Sequence, residues 1–161
     1  MDDGWTGLPH PPAPVLEVVK RLPKAEILLT KPAIWIREAP WGEVAEEIPA
    51  PGNNLSVRVC DCRRVESERD LFGEFARALG FPSWFGWNWD ALMDLLGDLD
   101  WISTDLIVVV RDEQLLRPAL GDRAGLVIVS LYDIIHYGRM TAIEFGDGWR
   151  RAVIIQREVG P

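Results

Sequence analysis

The run Leu106-Ile107-Val108-Val109-Val110 decides the fold class, because it is apolar at every position and has the length of a single strand. A strand with one solvent-facing side alternates apolar and polar residues, whereas a strand of a parallel sheet is covered on both faces and reads as a continuous apolar run. The sequence therefore predicts a buried strand over 106–110 in a parallel sheet, whose strands are joined by crossover helices.

The segments on both sides of this run alternate between strand and helix patterns. A strand is predicted over 55–60, and a helix over 67–79 begins with Ser67 as its cap. A second helix is predicted over 88–99 and a last strand over 152–156. This order predicts an α/β fold.

The region after the central strand has a less decisive pattern. Residues 113–116 fit a short helix, and Leu126-Val127-Ile128-Val129 is compatible either with a strand or with the start of a helix over 126–137. The sequence Gly146-Asp147-Gly148 is typical of a hairpin turn, which would pair Ala142-Ile143-Glu144-Phe145 with the final strand. An extra C-terminal hairpin strand is therefore predicted.

Changes in composition divide the chain into three parts. Residues 1–14 are rich in proline and glycine, which favours a flexible tail. Residues 15–54 form an N-terminal extension that ends in a cluster of proline, glycine and asparagine at 49–54. Residues 55–161 are predicted to form the main domain.

The extension contains an apolar-periodic stretch at Val15–Val19 and two short predicted strands, Ile27-Leu28-Leu29 and Ala33-Ile34-Trp35-Ile36. Its tryptophans, Trp35 and Trp41, are expected to cover the core, since most tryptophans are largely buried. The alternative is that this segment adds a strand layer or a second contact with a partner.

The charge balance restricts the class of partner. The 161 residues include 25 acidic and 17 basic side chains, which give a net charge of −8. Such a chain repels phosphate backbones and anionic lipids and attracts a basic partner, although many acidic domains are acidic only for solubility. We therefore expect neither direct nucleic-acid binding nor membrane binding.

The sequence also predicts a cytoplasmic location, because it has no apolar run long enough to cross a bilayer and its first residues do not resemble a signal peptide. The only cysteines, Cys60 and Cys62, are expected to be reduced, half-buried thiols on one side of a strand. The only histidines, His10 and His136, stand alone, so neither a metal site nor a cofactor is expected.

The segment between Trp84 and Asp105 contains five aspartates and no lysine or arginine. On the predicted helix Asp90, Asp94 and Asp98 lie along one side, and leucines lie on the opposite side. Three like charges at this spacing repel one another, so helix stability does not require them, although an amphipathic helix with a solvated acidic face is the ordinary explanation. If Gly97 ends the helix, Asp98 lies just beyond it.

Four large aromatic residues crowd the approach to this helix: Trp84, Phe85, Trp87 and Trp89. A small core rarely absorbs so many within six residues, so some are expected to remain partly exposed. Exposed aromatics beside fixed charges are typical of the energetic centres of protein interfaces.

The segment Ser83-Trp84-Phe85-Gly86-Trp87-Asn88-Trp89-Asp90-Ala91-Leu92-Met93-Asp94-Leu95-Leu96 resembles the barstar family, the inhibitors of barnase-type ribonucleases. The family pattern is aromatic-aromatic-Gly-x-Asn-x-Asp-Ala-Leu-aromatic-Asp-x-Leu. The order of strands and helices agrees as well, and the resemblance covers residues 55–157. It implies a three-stranded parallel sheet with packed helices, a helix rather than a strand at 126–137, and a non-enzymatic function.

The resemblance also implies roles for individual residues. Asp90 and Asp94 would point into the active site of the ribonuclease and pair with the cations that otherwise hold RNA phosphate. Trp84 would pack on a catalytic residue, Gly86 would allow close approach, and Asn88 would cap the helix within the interface.

Three positions are less closely matched. Met93 replaces an aromatic residue, and Trp87 stands where the family prototype has an acid. Asp133 aligns weakly with an acidic residue on the family's last helix that also contacts the nuclease. The resemblance says nothing about residues 1–54. The predicted partner-binding residues are therefore Trp84, Gly86, Trp87, Asn88, Asp90, Met93, Asp94 and Asp133.

Two other functions are compatible with parts of this pattern. Paired aspartates and tryptophans occur in glycoside hydrolase clefts, but no nucleophile–base pair or metal cluster accompanies them here. A barstar-fold immunity protein or adaptor could instead neutralise a toxin that is not a ribonuclease. For the inhibitor, we expect Asp94→Ala to weaken binding far more than Asp112→Ala.

Overall fold

The computed structural model describes residues 15–145 and 149–160, with side chains described for all of these except 137–145. Parallel strands alternate with helices along the described chain. Its elements are β1 (Val15–Val19), α1 (Ala25–Thr30), β2 (Ala33–Glu38), α2 (Trp41–Glu47), β3 (Leu55–Asp61), α3 (Glu68–Leu79), α4 (Trp89–Asp98), β4 (Asp105–Arg111), α5 (Leu116–Leu120), α6 (Gly125–Phe145) and β5 (Arg151–Arg157).

The strands form one five-stranded parallel sheet in the order β1, β2, β5, β4, β3. The predicted α/β class is confirmed, and β3, β4 and β5 are the three parallel strands that the resemblance implies. The N-terminal strands extend the sheet along the free side of β5. Residues 49–54 connect α2 with β3. The strands before and after this segment belong to the same sheet.

Strand β4 is covered on both faces, which explains its continuous apolar sequence. Successive side chains of a strand point to opposite faces, and here Val108 and Val110 contribute to a core beneath α3, α4 and α6. Ile107 and Val109 contribute to a second core, beneath α1 and α2. The acidic helix α4 therefore lies on the opposite side of the sheet from the helices of the extension.

The boundaries of α3 agree with its predicted signals. The Ser67 side chain accepts a hydrogen bond from the backbone N–H of Asp70 (3.2 Å), and Gly80 ends the helix in the left-handed conformation (φ 66°). The predictions for 55–60, 106–110 and 152–156 are confirmed as β3, β4 and β5.

The prediction of a strand at Ile27-Leu28-Leu29 is wrong, because these residues lie in helix α1. Strands β1 and β2 are parallel neighbours, so the chain between them must cross back over the sheet, and a short helix makes that connection. A run of three apolar residues does not distinguish the two states by its period. Trp35 is buried in β2 as expected, and Trp41, at the start of α2, is half-buried.

The prediction of a strand at Ala142-Ile143-Glu144-Phe145 is also wrong, since these residues are the last turn of α6. The predicted turn Gly146-Asp147-Gly148 lies outside the described residues. Both predicted helices of this region are present and longer than expected: residues 113–115 form a 3₁₀ turn that leads into α5, and α6 begins at Gly125.

The two cysteines are unpaired thiols, but they are fully buried rather than half-buried. Cys60 lies in β3, whereas Cys62 lies in the 3₁₀ turn that follows the strand, so the two do not share one strand face. Burial raises the pKa of both thiols, which keeps them protonated and unreactive.

Candidate partner-binding surface

Asn88 fixes the start of α4 through two hydrogen bonds. Its Oδ1 atom accepts a hydrogen bond from the backbone N–H of Ala91 (2.8 Å), and its Nδ2 atom donates one to the carbonyl of Gly86 (3.3 Å). A Cβ atom on Gly86 would lie 3.3 Å from both the Ala91 Cβ and the Asn88 Nδ2. Glycine at this position therefore lets residues 84–88, here named the aromatic loop, lie close against the helix.

Helix α4 separates its leucines from its aspartates. Leu92, Leu95 and Leu96 are buried in the core beneath the helix, whereas Asp90 and Asp94 are exposed. The spacing in the sequence predicts this division, and the structure confirms it. Asp90 occupies the first turn, where the helix dipole favours a negative charge, but Asp94 lies too far along the helix to gain from the dipole.

The aromatic residues before α4 are divided between the core and the surface. Phe85 is buried and packs edge-on against Phe72 and Phe81. Trp89 is half-buried against Phe72. Trp84, in contrast, has 73% of its surface exposed. The expectation that some of these aromatics remain exposed is therefore confirmed.

Trp87 is held over α3 although 40% of its surface is exposed. The Arg69 guanidinium lies 4.7 Å from the centre of the Trp87 ring, and the ring also packs against Phe85 and Gly73. Its backbone has φ of 55°, a left-handed conformation that is rare for a bulky residue and that this packing holds in place. Where the family prototype has an acid, this surface presents an indole ring and a guanidinium.

Asp133 lies on α6, which packs against α4. Burial raises the pKa of its carboxyl group above the ordinary value; His136 acts in the opposite direction, and the negative charge of Asp94 raises the pKa further. Asp94 and Asp133 are therefore close enough to repel each other. Asp133, which the sequence aligns only weakly with the family pattern, thus lies within electrostatic range of Asp94. Met93 is half-buried on the same helix as Asp94.

The last turn of α4 is intact, because Gly97 does not end the helix. The helix continues to Asp98, and Leu99 adopts the left-handed conformation (φ 48°) while its side chain is buried in the core. The Arg151 side chain donates hydrogen bonds to the carbonyls of Gly97 (3.5 Å) and Asp98 (2.8 Å). A cation at this end also complements the helix dipole. Asp98 therefore lies on the helix, with an exposed side chain.

Two neighbouring residues were not predicted as part of the surface. Trp101 and Asp100 line an open groove with Trp84 and Asp98. In the sequence, Asp100 is one of the five aspartates of the segment from Trp84 to Asp105, and nothing in the pattern singles out Trp101. The position of both residues depends on the path of the chain after α4.

Among the side chains described, those of residues 15–136 and 149–160, no group of three or more His, Cys, Asp and Glu is arranged to hold a metal ion. None of the helices in that part of the chain is long and apolar enough to span a membrane.

The fold and this surface define an acidic α/β protein that presents carboxylates and tryptophans from a helix and the loop before it. The family model of barstar, described as barnase inhibitor, matches residues 55–145. The chain therefore belongs to the barstar family, which is a family of inhibitors. No curated protein matches the chain in sequence.

Proposed function

We propose that this protein inhibits a basic ribonuclease by covering its active site with α4 and the aromatic loop. One observation carries this proposal: Asp90 and Asp94 are exposed on α4, and Asp133 of α6 lies within electrostatic range of Asp94. No lysine or arginine occurs between residues 84 and 105 to neutralise these charges. The surface therefore suits a partner that supplies the cations.

An active site that cleaves RNA provides such cations. A ribonuclease must hold positive groups in fixed positions to stabilise the charge of the phosphoryl transition state. Carboxylates fixed on a helix match these positions without undergoing any reaction, so inhibition would combine steric occlusion with charge mimicry. Trp84 and Trp87 would add apolar contact area around the charged centre.

The partner in this proposal is a basic protein, and neither nucleic acid nor a membrane takes part. The net charge of −8 attracts a cationic protein over long range and repels RNA. The complex would form in the cytoplasm, where the buried thiols of Cys60 and Cys62 remain reduced.

Calorimetry with the Asp94→Ala variant tests this proposal. Removal of one member of a buried interfacial charge pair costs roughly 2–5 kcal/mol, a range that rests partly on the barnase–barstar complex itself. We expect the affinity for a basic ribonuclease to fall about thirtyfold or more. Glu46→Gln is the matched control, because Glu46 is exposed on α2, on the other side of the sheet.

Asp112 is not a suitable control, although the sequence suggests it. Its side chain is buried, interacts with Arg111 (3.3 Å) and Gln114 (3.3 Å), and its backbone N–H bonds to Gln156 (2.7 Å). Asp112→Ala would therefore disturb the fold. Equal affinities for Asp94→Ala and Glu46→Gln would remove Asp94 from the binding site.

A second candidate is a barstar-fold immunity protein or adaptor that neutralises a toxin other than a ribonuclease. Trp87 and Met93 favour it, because they change the surface around Asp94 relative to the family pattern, and Arg69 adds a positive charge beneath Trp87. Capture of the partner from cells that carry a related toxin would separate the two candidates. A captured toxin domain without ribonuclease activity would contradict the first.

A further inference from the structure

An open groove of about 410 Å³ lies beside the carboxyl end of α4. Two exposed tryptophan rings and two carboxylates are among its lining residues. We name it the Trp84–Trp101 groove, and it is lined by Gly80, Pro82, Trp84, Asp98, Asp100 and Trp101.

One wall of the groove is rigid. The Trp101 indole Nε1 donates a hydrogen bond to the carbonyl of Leu79 (2.8 Å), and the Trp101 ring packs edge-on against Phe81. The Trp84 ring, on the loop before α4, is the most exposed of the tryptophans whose side chains are described. The groove is therefore held open between a fixed indole and an exposed one.

Asp98 and Asp100 feel the positive charge of Arg151, but neither carboxylate forms an ion pair with it. The nearby Arg151 guanidinium donates its hydrogen bonds to the Gly97 and Asp98 carbonyls rather than to a carboxylate. Among the described residues, no ion pair includes Asp98 or Asp100. Burial and the negative charge of Asp100 raise the pKa of Asp98, whereas the positive charge of Arg151 lowers it, and the net direction is upward. Burial of Asp98 therefore disfavours its charged form despite the attraction by Arg151.

We propose that the Trp84–Trp101 groove binds an arginine side chain of the basic protein partner, outside the contacts that Asp90 and Asp94 make. This inference rests on the proposed function, because it assumes a basic protein partner. A guanidinium is planar and weakly hydrated, stacks on indole rings and donates paired hydrogen bonds to carboxylates. The groove offers both indole rings for stacking and carboxylates as hydrogen-bond acceptors. An anionic ligand would be repelled by Asp98 and Asp100, and a purely apolar ligand would leave both carboxylates unpaired.

The first experiment needs no nuclease. N-acetylarginine amide is titrated into the full chain while the indole N–H signals of the tryptophans are followed by NMR, with Trp84→Phe and Trp101→Phe used to assign two of them. We expect saturable shifts of the Trp84 and Trp101 signals. N-acetylcitrulline amide, which has the same shape without the charge, should produce none.

The matched variants are Asp98→Asn combined with Asp100→Asn, and Glu46→Gln as the control. The double variant should bind the arginine probe about threefold to tenfold more weakly, as expected for the loss of partly exposed charge contacts. Glu46→Gln should bind it like the wild type. Equal binding of the arginine and citrulline probes, or by the double variant and the wild type, would overturn the proposal.

The second experiment separates this proposal from the proposed function. Against a basic ribonuclease, the double variant should lose about threefold to tenfold in affinity, and Asp94→Ala should lose more. If Asp94→Ala weakens the complex and the double variant does not, the groove proposal fails and the proposed function stands. If no ribonuclease binds but the arginine probe still discriminates the variants, the proposed function fails and the groove stands as a site for a different basic partner.

Discussion

At the residue scale, Asp90 and Asp94 differ in their effect on the stability of the fold. Asp90 stabilises the first turn of α4 through the helix dipole, whereas Asp94 lies in the middle of the helix and within electrostatic range of Asp133. Because the charges of Asp94 and Asp133 repel each other, the stability of the fold would favour a neutral residue at one of these two positions. The presence of both carboxylates is therefore better explained by a partner than by the fold.

The Asp133→Asn variant tests this conflict between stability and binding. The pKa of Asp133 is raised in the folded state, so the charged carboxylate destabilises the fold at neutral pH, and the effect disappears when the pH falls below the ordinary aspartate value of 3.8. We expect the variant to melt roughly 1–3 °C higher at pH 7, with no gain near pH 3, and to bind the ribonuclease more weakly. Calorimetric melting at the two pH values measures the first effect.

A lower melting temperature of Asp133→Asn would contradict this prediction. A variant that melts lower than the wild type at pH 7 would mean that Asp133 makes a net stabilising contact, with His136 for example, rather than lying unfavourably beside Asp94. In that case the carboxylate would belong to the fold.

At the scale of elements, the aromatic loop packs directly against α3, because the Trp87 ring lies over Gly73 and Arg69. An alanine Cβ at position 73 would lie 3.4 Å from the Trp87 ring, which is an ordinary contact distance. Glycine inside a helix costs roughly 0.5–1 kcal/mol relative to alanine, so Gly73→Ala should raise the free energy of unfolding by about that amount. Urea denaturation measures it, with Gly42→Ala in α2 as a control that has no neighbour within 4 Å.

If Gly73→Ala destabilises the protein while Gly42→Ala does not, the Trp87 ring lies closer to α3 than described. The aromatic loop would then be strained against the helix, and its position would depend on the missing side chain at residue 73.

The elements that the sequence predicts well are those with a long, regular pattern. The leucine spacing of α4 has the period of a helix, and the apolar run of β4 is rich in β-branched residues, which favour a strand. Ile27-Leu28-Leu29 is too short to show a period, and its helical state follows from the crossover between β1 and β2. The Gly146-Asp147-Gly148 motif predicts a strand at Ala142-Ile143-Glu144-Phe145, but α6 continues through these four residues.

The candidate surface likewise contains features that the sequence predicts and features that it does not. The acidic stripe and the cap at Asn88 follow from spacing within one helix. The approach of Asp133 to Asp94 and the groove beside Trp101 depend on how α6 and the segment after α4 pack, which local sequence does not determine.

In the whole molecule, the two faces of the sheet are covered by different parts of the chain. Helices α3, α4 and α6 cover one face and carry the acidic surface, while the extension adds β1 and β2 and covers the other face with α1 and α2. Ile107 and Ile154 are fully buried on that second face, so the extension shields apolar surface that would otherwise meet water.

The net charge of −8 predicts an association with a basic partner that depends on salt. The screening length falls from about 30 Å at 0.01 M to about 8 Å at 0.15 M ionic strength. We expect the association rate constant to fall at least about threefold over this range, with a smaller change in the dissociation rate, as measured by stopped-flow fluorescence. An association rate that does not change with salt would argue against a complementary basic surface.

Inhibition of RNA hydrolysis tests the central claim most directly. The full chain is titrated into each of several small basic ribonucleases of the barnase type, and the rate of RNA cleavage is measured. We predict that at least one enzyme loses its activity at one equivalent of inhibitor, and that Asp94→Ala requires a large excess for the same effect while Glu46→Gln does not. Full cleavage activity in every case, or equal inhibition by Asp94→Ala and the wild type, would contradict the proposal that α4 blocks a ribonuclease active site.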